Sequence, residues 1–323
     1  MSVLEKIKQF NKLNVLVIGD IILDRYLYGN TKRISPEAPV PVVHLKDSDN
    51  RLGGAANVAL NIKELGANID IVGLIGNDQY GNDIISLFKE NDINCENIIS
   101  SENQTTTVKS RILSQGQQVL RVDSEKCNAL DKVLNEKLIN DLKKNIKKYD
   151  LCIIQDYEKG LLNKNNIKSI IDICNSNNIY IAVDPKKDNF WEYNNVNLFK
   201  PNINELESAI NKDLSTNEKL KLGVIELKER LAHELTVLTL SDKGIFVDNK
   251  KANKIIPTIK KPVFDVSGAG DTVISIFSLC IIVGIDPFKA ATISNIGANI
   301  VCQKLGVRPI KLNELIEGIE EYF

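Results

Sequence analysis

Short apolar runs alternate with helical patterns along most of this chain. The runs are shorter than typical helices and have the composition of strands that are buried on both faces. Because helices separate such strands, the alternation predicts an α/β fold with a doubly wound, mostly parallel sheet flanked by helices. The runs cover residues 14–20, 69–76, 150–156, 179–185, 198–202 and 235–241, and the helical patterns cover 55–65, 83–91, 133–146, 166–175 and 218–231.

Two segments, at about residues 24–50 and 104–124, break this alternation. They lack helical periodicity and contain alternating β-type stretches with turn residues, so they predict antiparallel strands outside the main sheet. We call the resulting small sheet the lid. Because no Pro/Gly/Ser-rich linker or block of like charges divides the chain, residues 1–323 are expected to form a single domain with the lid inserted in it.

The charge balance excludes some classes of partner. The formal net charge is -1 and the Lys and Arg residues are not clustered, which argues against a nucleic-acid-binding surface. No apolar stretch is long enough to span a bilayer, and the first residues contain no signal-peptide core. We therefore expect a cytoplasmic protein whose partner is a small molecule, with no nucleic acid and no membrane.

The stretch DVSGAGDTVISIF, residues 265–277, joins a glycine-rich corner to an apolar helix. Gly268, Ala269 and Gly270 leave backbone N–H groups uncovered, and a helix expected to begin near Asp271 adds the positive end of its dipole. Together they predict an anion hole for a transferring phosphoryl group. Asp271 at its mouth can accept the proton of an attacking hydroxyl. A tight helix entry with Asp271 as N-cap explains the same letters.

A second glycine pair, in RLGGAANVALNI, follows the same logic. Gly53 and Gly54 let the backbone approach a ligand, and Asn57 offers a donor and an acceptor to hydroxyl groups. Close packing of a helix on the sheet is the alternative explanation. Acids and amides also follow the apolar runs, where open α/β sheets bind ligands, and this repetition predicts a common cleft. These residues are Asp20, Asp156, Asp184, Asn202 and Glu205.

Three motifs, GGAANVA, PNINE and DVSGAGD, together resemble those of the ribokinase/PfkB carbohydrate kinase family, and the resemblance covers essentially the whole chain. Within that family, RISPEAPVPV, QDYEKG and VDPK look like segments of the D-glycero-β-D-manno-heptose 7-phosphate kinases of ADP-heptose and lipopolysaccharide core synthesis. The resemblance implies ATP-dependent phosphorylation of the anomeric hydroxyl to give the 1,7-bisphosphate. Two alternatives remain: another kinase of this family, acting on ribose, fructose or tagatose phosphate or a nucleoside, or a non-catalytic sugar-phosphate sensor.

The resemblance also implies roles for individual residues. Asp271 is the general base, and the amides of Ala269, Gly270 and Asp271 form the anion hole. Asn202 lies near the ATP phosphates, and Glu205 organises the water shell of Mg²⁺. The expected contacts to the nucleotide are Thr239, Ser241, Gly244 and Asn295, and those to the sugar hydroxyls are Asp20, Asp24, Gly53, Gly54 and Asn57.

The 7-phosphate needs a cation, and the candidates are Arg25, Lys109, Arg111, Arg121, Lys159 and Lys186. Lys109 and Arg111 are favoured because they lie on one face of a lid strand. A monovalent cation near Asp265 is a further family expectation. The exposed lid edge, with Tyr26, Tyr28, Val40 and Val42 as apolar residues, predicts a homodimer through the lid. Two positions depart from the family pattern: Ser267 stands where Thr is frequent, and Gln155 precedes the acid of QDYEKG.

Overall fold

Thirteen strands in residues 1–259 and 261–322, the part of the chain that this computed structural model describes, form two separate sheets. The strands are β1 (Asn14–Gly19), β2 (Ile21–Ile34), β3 (Pro41–Gly54), β4 (Asn68–Gly76), β5 (Ile98–Ser101), β6 (Thr105–Ser114), β7 (Gln117–Lys126), β8 (Leu151–Gln155), β9 (Tyr180–Asp184), β10 (Leu198–Phe199), β11 (Leu235–Thr239), β12 (Ile245–Asp248) and β13 (Asn253–Ile256).

The larger sheet has the strand order β13-β12-β11-β10-β9-β8-β1-β4-β5. The strands from β11 to β5 in this order are parallel, whereas β12 and β13 add an antiparallel edge. The chain winds outward from β1 in one direction and from β8 in the other, which confirms the predicted doubly wound fold. The carboxyl ends of β1 and β8 therefore border the crevice where sheets of this kind bind ligands.

Helices cover both faces of this sheet, and each face buries its own apolar cluster. In the described chain none of them combines the length and the apolar character needed to cross a membrane. The α-helices are α1 (Val3–Ile7), α2 (Ala55–Glu64), α3 (Gln79–Glu90), α4 (Lys132–Asn145), α5 (Lys164–Ser176), α6 (Ile203–Ile210), α7 (Asn217–Leu231), α8 (Ala269–Ile282), α9 (Pro287–Cys302) and α10 (Leu312–Tyr322). Helices α4 to α7 pack on one face and the others on the opposite face.

Helix α3 begins four residues earlier than its apolar pattern suggests. The side chain of Asp78 accepts a hydrogen bond from the N–H of Gly81 at 2.8 Å and caps the helix before its first apolar turn. The capping residue, rather than the apolar periodicity, therefore sets this boundary.

The lid is the four-stranded sheet in the order β3-β2-β6-β7, built from the two segments that break the alternation. Its outer pairs are antiparallel, but β2 and β6 run parallel, with Asp24 opposite Lys109. The prediction of antiparallel pairing throughout is therefore wrong at the centre of the lid. The chain leaves β3, passes through α2, β4, α3 and β5, and returns to β6 from the same end as β2; such a crossover permits parallel pairing.

Candidate active site

The glycine corner lies where α8 begins, at the carboxyl edge of the main sheet. Gly268 has a φ of 82° and is the N-cap, so the helix begins at Ala269 and Asp271 is its third residue, not its cap. A Cβ on Gly268 would lie 2.9 Å from Nδ2 of Asn57, so this position needs glycine for its conformation and for its space. The left-handed turn at Gly268 starts the helix two residues before the expected point.

The corner leaves two backbone amides open. The N–H of Ala269 donates to the carbonyl oxygen of Val266 at 3.2 Å, which removes one of the three amides expected in the anion hole. The N–H groups of Gly270 and Asp271 have no acceptor within residues 1–259 and 261–322. Because both lie in the first turn of α8, they combine with the helix dipole to favour an anion.

The carboxylate of Asp271 is buried and held by three side chains. Its Oδ2 accepts from Nδ2 of Asn57 at 2.7 Å, and its Oδ1 accepts from the Tyr157 hydroxyl at 2.9 Å and from Nε2 of Gln155 at 3.2 Å. Burial raises the pKa of Asp271 to about 6, the negative charge of Asp184 adds to the rise, and the hydrogen bonds from Asn57 and Tyr157 oppose it. This carboxylate is therefore ionised at neutral pH and is basic enough to take a proton.

A buried cation lies beside the corner. Lys200, 3% exposed, forms an ion pair with Asp184 at 3.0 Å. Its Nζ is the nearest atom to a Cβ built on Gly270, at 3.7 Å. A fixed positive charge therefore stands next to the open amides. Lys200 was expected within the apolar run 198–202, but β10 ends at Phe199 and the lysine belongs to the strand-end cleft.

Asp20, expected to contact sugar hydroxyls, lies beneath the loop that follows β8. Its carboxylate accepts hydrogen bonds from the backbone N–H groups of Tyr157 at 2.8 Å, Lys159 at 3.1 Å and Leu161 at 3.2 Å. Burial raises its pKa to about 6, with a further rise from the negative charge of Asp156. Asp20 thus fixes the loop that carries Tyr157, a residue that was not among the expected site residues although it lies only two positions after the end of β8.

The second glycine pair makes room for protein atoms. A Cβ on Gly53 would lie 2.1 Å from Oδ2 of Asp24, and one on Gly54 would lie 2.6 Å from the carbonyl oxygen of Asp20. Gly54 also has a φ of 58° as it caps α2. The expected open space for a ligand is therefore filled here, and the pair serves to bring the side chain of Asp24 and the N-terminus of α2 to the cleft.

The two lid cations have different surroundings. Arg111 is buried, forms an ion pair with Asp24, and lies with its guanidinium 5.3 Å from the centre of the Tyr26 ring. Lys109 lies with Nζ 5.6 Å from the centre of the Tyr157 ring, and it forms no ion pair within the described part of the chain. Burial lowers the pKa of Lys109. Of the two, Lys109 is the cation that remains free for an anionic ligand.

The N-x-x-E motif forms a helix cap at the opposite side of the cleft. The side chain of Asn202 accepts from the N–H of Glu205 at 2.9 Å, and the Glu205 carboxylate accepts from the N–H of Asn202 at 2.8 Å. The same carboxylate forms an ion pair with Lys186. Asn202 also pairs with Thr239 in a parallel β-bridge, so the structure brings these two expected nucleotide contacts together.

The remaining expected nucleotide contacts lie on the far side of Thr239. Ser241 is exposed and has a φ of 55°. Gly244 is buried, and a Cβ there would lie 2.1 Å from the carbonyl oxygen of Ile256. The side chain of Asn295 donates to the carbonyls of Ile256 and Pro257, at 3.0 and 3.2 Å. Gly244 and Asn295 therefore support the 256–257 segment from two sides.

A backbone link joins the lid to the corner. The guanidinium of Arg51 on β3 donates to the carbonyls of Leu305 and Val307, at 3.0 and 3.2 Å. Between them, the N–H of Gly306 donates to Oδ2 of Asp265 at 2.9 Å. Asp265, the residue expected near a monovalent cation, thus lies at the end of a chain of contacts that begins in the lid.

The fold, together with a buried carboxylate beside two open amides at a helix N-terminus, indicates a class of protein: an α/β phosphotransferase. The model of the pfkB family carbohydrate kinases matches residues 12–313, so the chain belongs to that family. The predicted family is confirmed, and with it a carbohydrate kinase that transfers a phosphoryl group to an alcohol. Membership of this family implies the use of ATP and Mg²⁺.

Curated relatives and solved structures agree with this assignment. The bifunctional protein HldE of Sulfurimonas denitrificans is 38% identical over 308 residues, 95% of this chain, and HldE of Helicobacter pylori is 37% identical over 93% of this chain. The chain spans 64% of the length of the first relative and 65% of the second.

Two solved structures share the fold. Phosphofructokinase-2 from Escherichia coli in complex with potassium gives a TM-score of 0.80 at 15% identity, covering 96% of this chain and 99% of its own. Ribokinase of Arabidopsis thaliana complexed with ribose and ATP gives 0.74 at 16% identity, covering 95% of this chain and 99% of its own.

Proposed function

We propose that this chain phosphorylates the anomeric hydroxyl of D-glycero-β-D-manno-heptose 7-phosphate with ATP, giving the 1,7-bisphosphate for ADP-heptose and lipopolysaccharide core synthesis. The identity to HldE over nearly the whole chain and the segments similar to heptose 7-phosphate kinases support this substrate. The single observation that carries the chemistry is that the buried carboxylate of Asp271 is held by hydrogen bonds next to two open backbone amides.

Proton and phosphoryl transfer are assigned to neighbouring groups. Asp271 takes the proton of the anomeric hydroxyl. At the same time the oxygen of that hydroxyl forms a bond to the γ-phosphorus of ATP, and the bond from this phosphorus to the ADP oxygen breaks. The amides of Gly270 and Asp271 and the ammonium of Lys200 meet the charge on the transferring group. These donors are in place before the substrate binds, so little reorganisation is needed.

The nucleotide is assigned to the side of Asn202, Glu205 and Thr239. No group of three or more His, Cys, Asp and Glu side chains in the described chain is placed to hold a metal. A single carboxylate, Glu205, suits Mg²⁺, which keeps several waters and binds substrate phosphates. When bound, Mg²⁺ neutralises charge on the phosphates. We propose that Ser241 contacts the nucleoside and that Gly244 and Asn295 shape the wall of the nucleoside-binding part of the cleft.

The sugar phosphate is assigned to the lid side. Lys109 is the proposed partner of the 7-phosphate because it is a desolvated cation that forms no ion pair among the described residues, although Asp24 and Asp123 lie within electrostatic range. Asp24, next to Gly53, is the proposed acceptor for a sugar hydroxyl, and Arg111 holds it in place. Asn57 acts on the sugar side by orienting Asp271.

A coupled ADP-release assay tests this function. Wild type should turn over the heptose 7-phosphate with a higher kcat/KM than ribose, fructose 6-phosphate, tagatose 6-phosphate or a nucleoside. Asp271→Asn should lower kcat by about 10²- to 10⁴-fold. Lys109→Met should raise KM for the sugar phosphate but not for ATP, whereas Lys126→Met, at the exposed end of β7, should change neither. Preference for another sugar, or full turnover by Asp271→Asn, would contradict the proposal.

We also propose a homodimer through the lid. Every residue of β7 is exposed along this edge strand, including the apolar residues Val119, Leu120 and Val122. Such an edge is an aggregation hazard unless it is covered. Tyr26, expected to contribute to this surface, is instead fully buried between Arg51 and Arg111. Light scattering should give twice the chain mass, and a monomer at assay concentrations would refute the dimer.

We propose that the expected monovalent cation binds at Asp265, close to the corner. If it binds there, exchanging potassium for tetramethylammonium in the ADP-release assay should lower kcat/KM, and equal rates would contradict this site. A cytoplasmic location, where ATP is available, is part of the same proposal.

A further inference from the structure

We propose that Gln155 is a positioning residue that fixes the general base by bridging it to Asp184. Its Nε2 donates to Oδ2 of Asp184 at 3.0 Å and to Oδ1 of Asp271 at 3.2 Å. The residue is 1% exposed, so water does not compete for these bonds. The inference rests on the proposed function, in which Asp271 accepts the proton of the sugar.

The strand register places Gln155 between its two partners. It is the last residue of β8, opposite Asp184 on β9 and opposite Gly19 on β1. A Cβ on Gly19 would lie 2.9 Å from the Cβ of Gln155 and 2.1 Å from its carbonyl oxygen. The missing side chain on β1 therefore makes the room in which Gln155 sits, and packing fixes its backbone.

The orientation of the amide is set by its donors. Its Oε1 is buried and has no hydrogen-bond partner in the described residues, which costs free energy. The reverse orientation would point this oxygen at two carboxylates, which cannot donate when ionised. Oε1 of Gln155 therefore stays without a hydrogen bond, while both N–H groups of the amide donate to the carboxylates of Asp184 and Asp271.

The electrostatic setting gives these donors their importance. Asp184 and Asp271 are like charges, and the positive groups near them are Lys200 on the strand-end segment and Lys186 after β9. The Tyr157 hydroxyl is the other donor to the same oxygen of Asp271. A neutral amide between two carboxylates offsets their repulsion without adding a charge, and it limits the rotation of the base.

The test compares Gln155→Met, which keeps the volume, with Gln155→Glu, which adds a third carboxylate. With Met, kcat should fall about tenfold to a hundredfold with little change in KM for ATP, because the base is less well placed. The acid limb of kcat/KM against pH should move upward in both variants, and further with Glu. Gln104→Met is the matched control, since within the described residues that buried amide bonds only to the backbone of Lys159 and Asn128.

Titration of the aspartate carboxyl groups by carbon-13 NMR, assigned with Asp271→Asn, tests the bridge without turnover. An upward shift of the Asp271 titration in Gln155→Met supports the inference even if wild type proves inactive on every sugar, a result that would contradict only the proposed function. An unchanged Asp271 titration and acid limb in Gln155→Met would overturn it. So would changes equal to those of Gln104→Met, which would show a purely structural role.

Discussion

Replacing Tyr157 by phenylalanine removes one hydroxyl, the one that donates to Oδ1 of Asp271 at 2.9 Å. Burial, together with the negative charge of Asp271, raises the pKa of this hydroxyl well above its usual value, so it remains a donor across the working pH range. A hydrogen bond to a charged group contributes about 1.5–3 kcal/mol, and 1.36 kcal/mol corresponds to one pKa unit. Because the other donors remain, we expect a rise of about one unit.

The pH dependence of kcat/KM measures this effect, since its limbs report groups of the free enzyme. Asp271 must be ionised to act as base, so activity falls as pH drops through its pKa. The acid limb of wild type should lie near pH 6, and that of Tyr157→Phe about one unit higher. Tyr149→Phe is the control, because its hydroxyl donates to Asp70 at 2.7 Å at the amino end of the sheet. An acid limb in Tyr157→Phe at or below that of wild type would refute the reasoning.

Three further changes have defined outcomes. Gly268→Ala should lower the free energy of unfolding by at least about 1–2 kcal/mol because of its left-handed φ, whereas Gly270→Ala should stay near wild type in urea unfolding; equal losses would contradict this. Lys200→Met should cost about 3–5 kcal/mol by leaving the charge of Asp184 buried and unpaired. Adding Asp184→Asn should recover stability but not kcat, and recovery of both would remove Lys200 from the chemistry. The pKa of Asp20 is higher in the folded chain, about 6 against 3.8, so its stabilisation is present below pH 4 and lost as pH rises through 6. Between pH 4 and 7 the free energy of unfolding of wild type should therefore fall by about 2 kcal/mol relative to Asp20→Asn, and parallel curves would contradict the shift.

The central strands of the main sheet were predictable because each is a short run of apolar residues, as expected for a strand that is buried on both faces. The position of Asp271 in the cleft was predictable as well, since it follows a glycine corner, but the letters alone also allowed Asp271 to be a helix N-cap, a role that Gly268 has in the structure. The parallel direction of the β2–β6 pair could not be predicted, because it depends on a crossover through four other elements.

The supporting residues of the site escaped sequence reasoning for a related reason. Gln155 ends β8, Tyr157 lies two residues after it, and Lys200 follows β10. Their contacts with Asp184 and Asp271 depend on how the strands align across the sheet. Asp20 was expected in the ligand cleft, but the loop after β8 folds over its carboxylate and uses both oxygens. Residues near one another in the sequence predict local turns, whereas this constellation is assembled across the sheet.

The hydrogen bonds of Arg51 to the 305–307 segment link the lid to the glycine corner. An outward swing of β3 must break its bonds to two carbonyls, at a cost of about 3 kcal/mol, or carry the 305–307 segment with it. In the second case Gly306 pulls on Asp265, whose other oxygen accepts from the N–H of Ser267 at the edge of the corner. The lid and the glycine corner are thus mechanically joined, and a displacement of one must move the other.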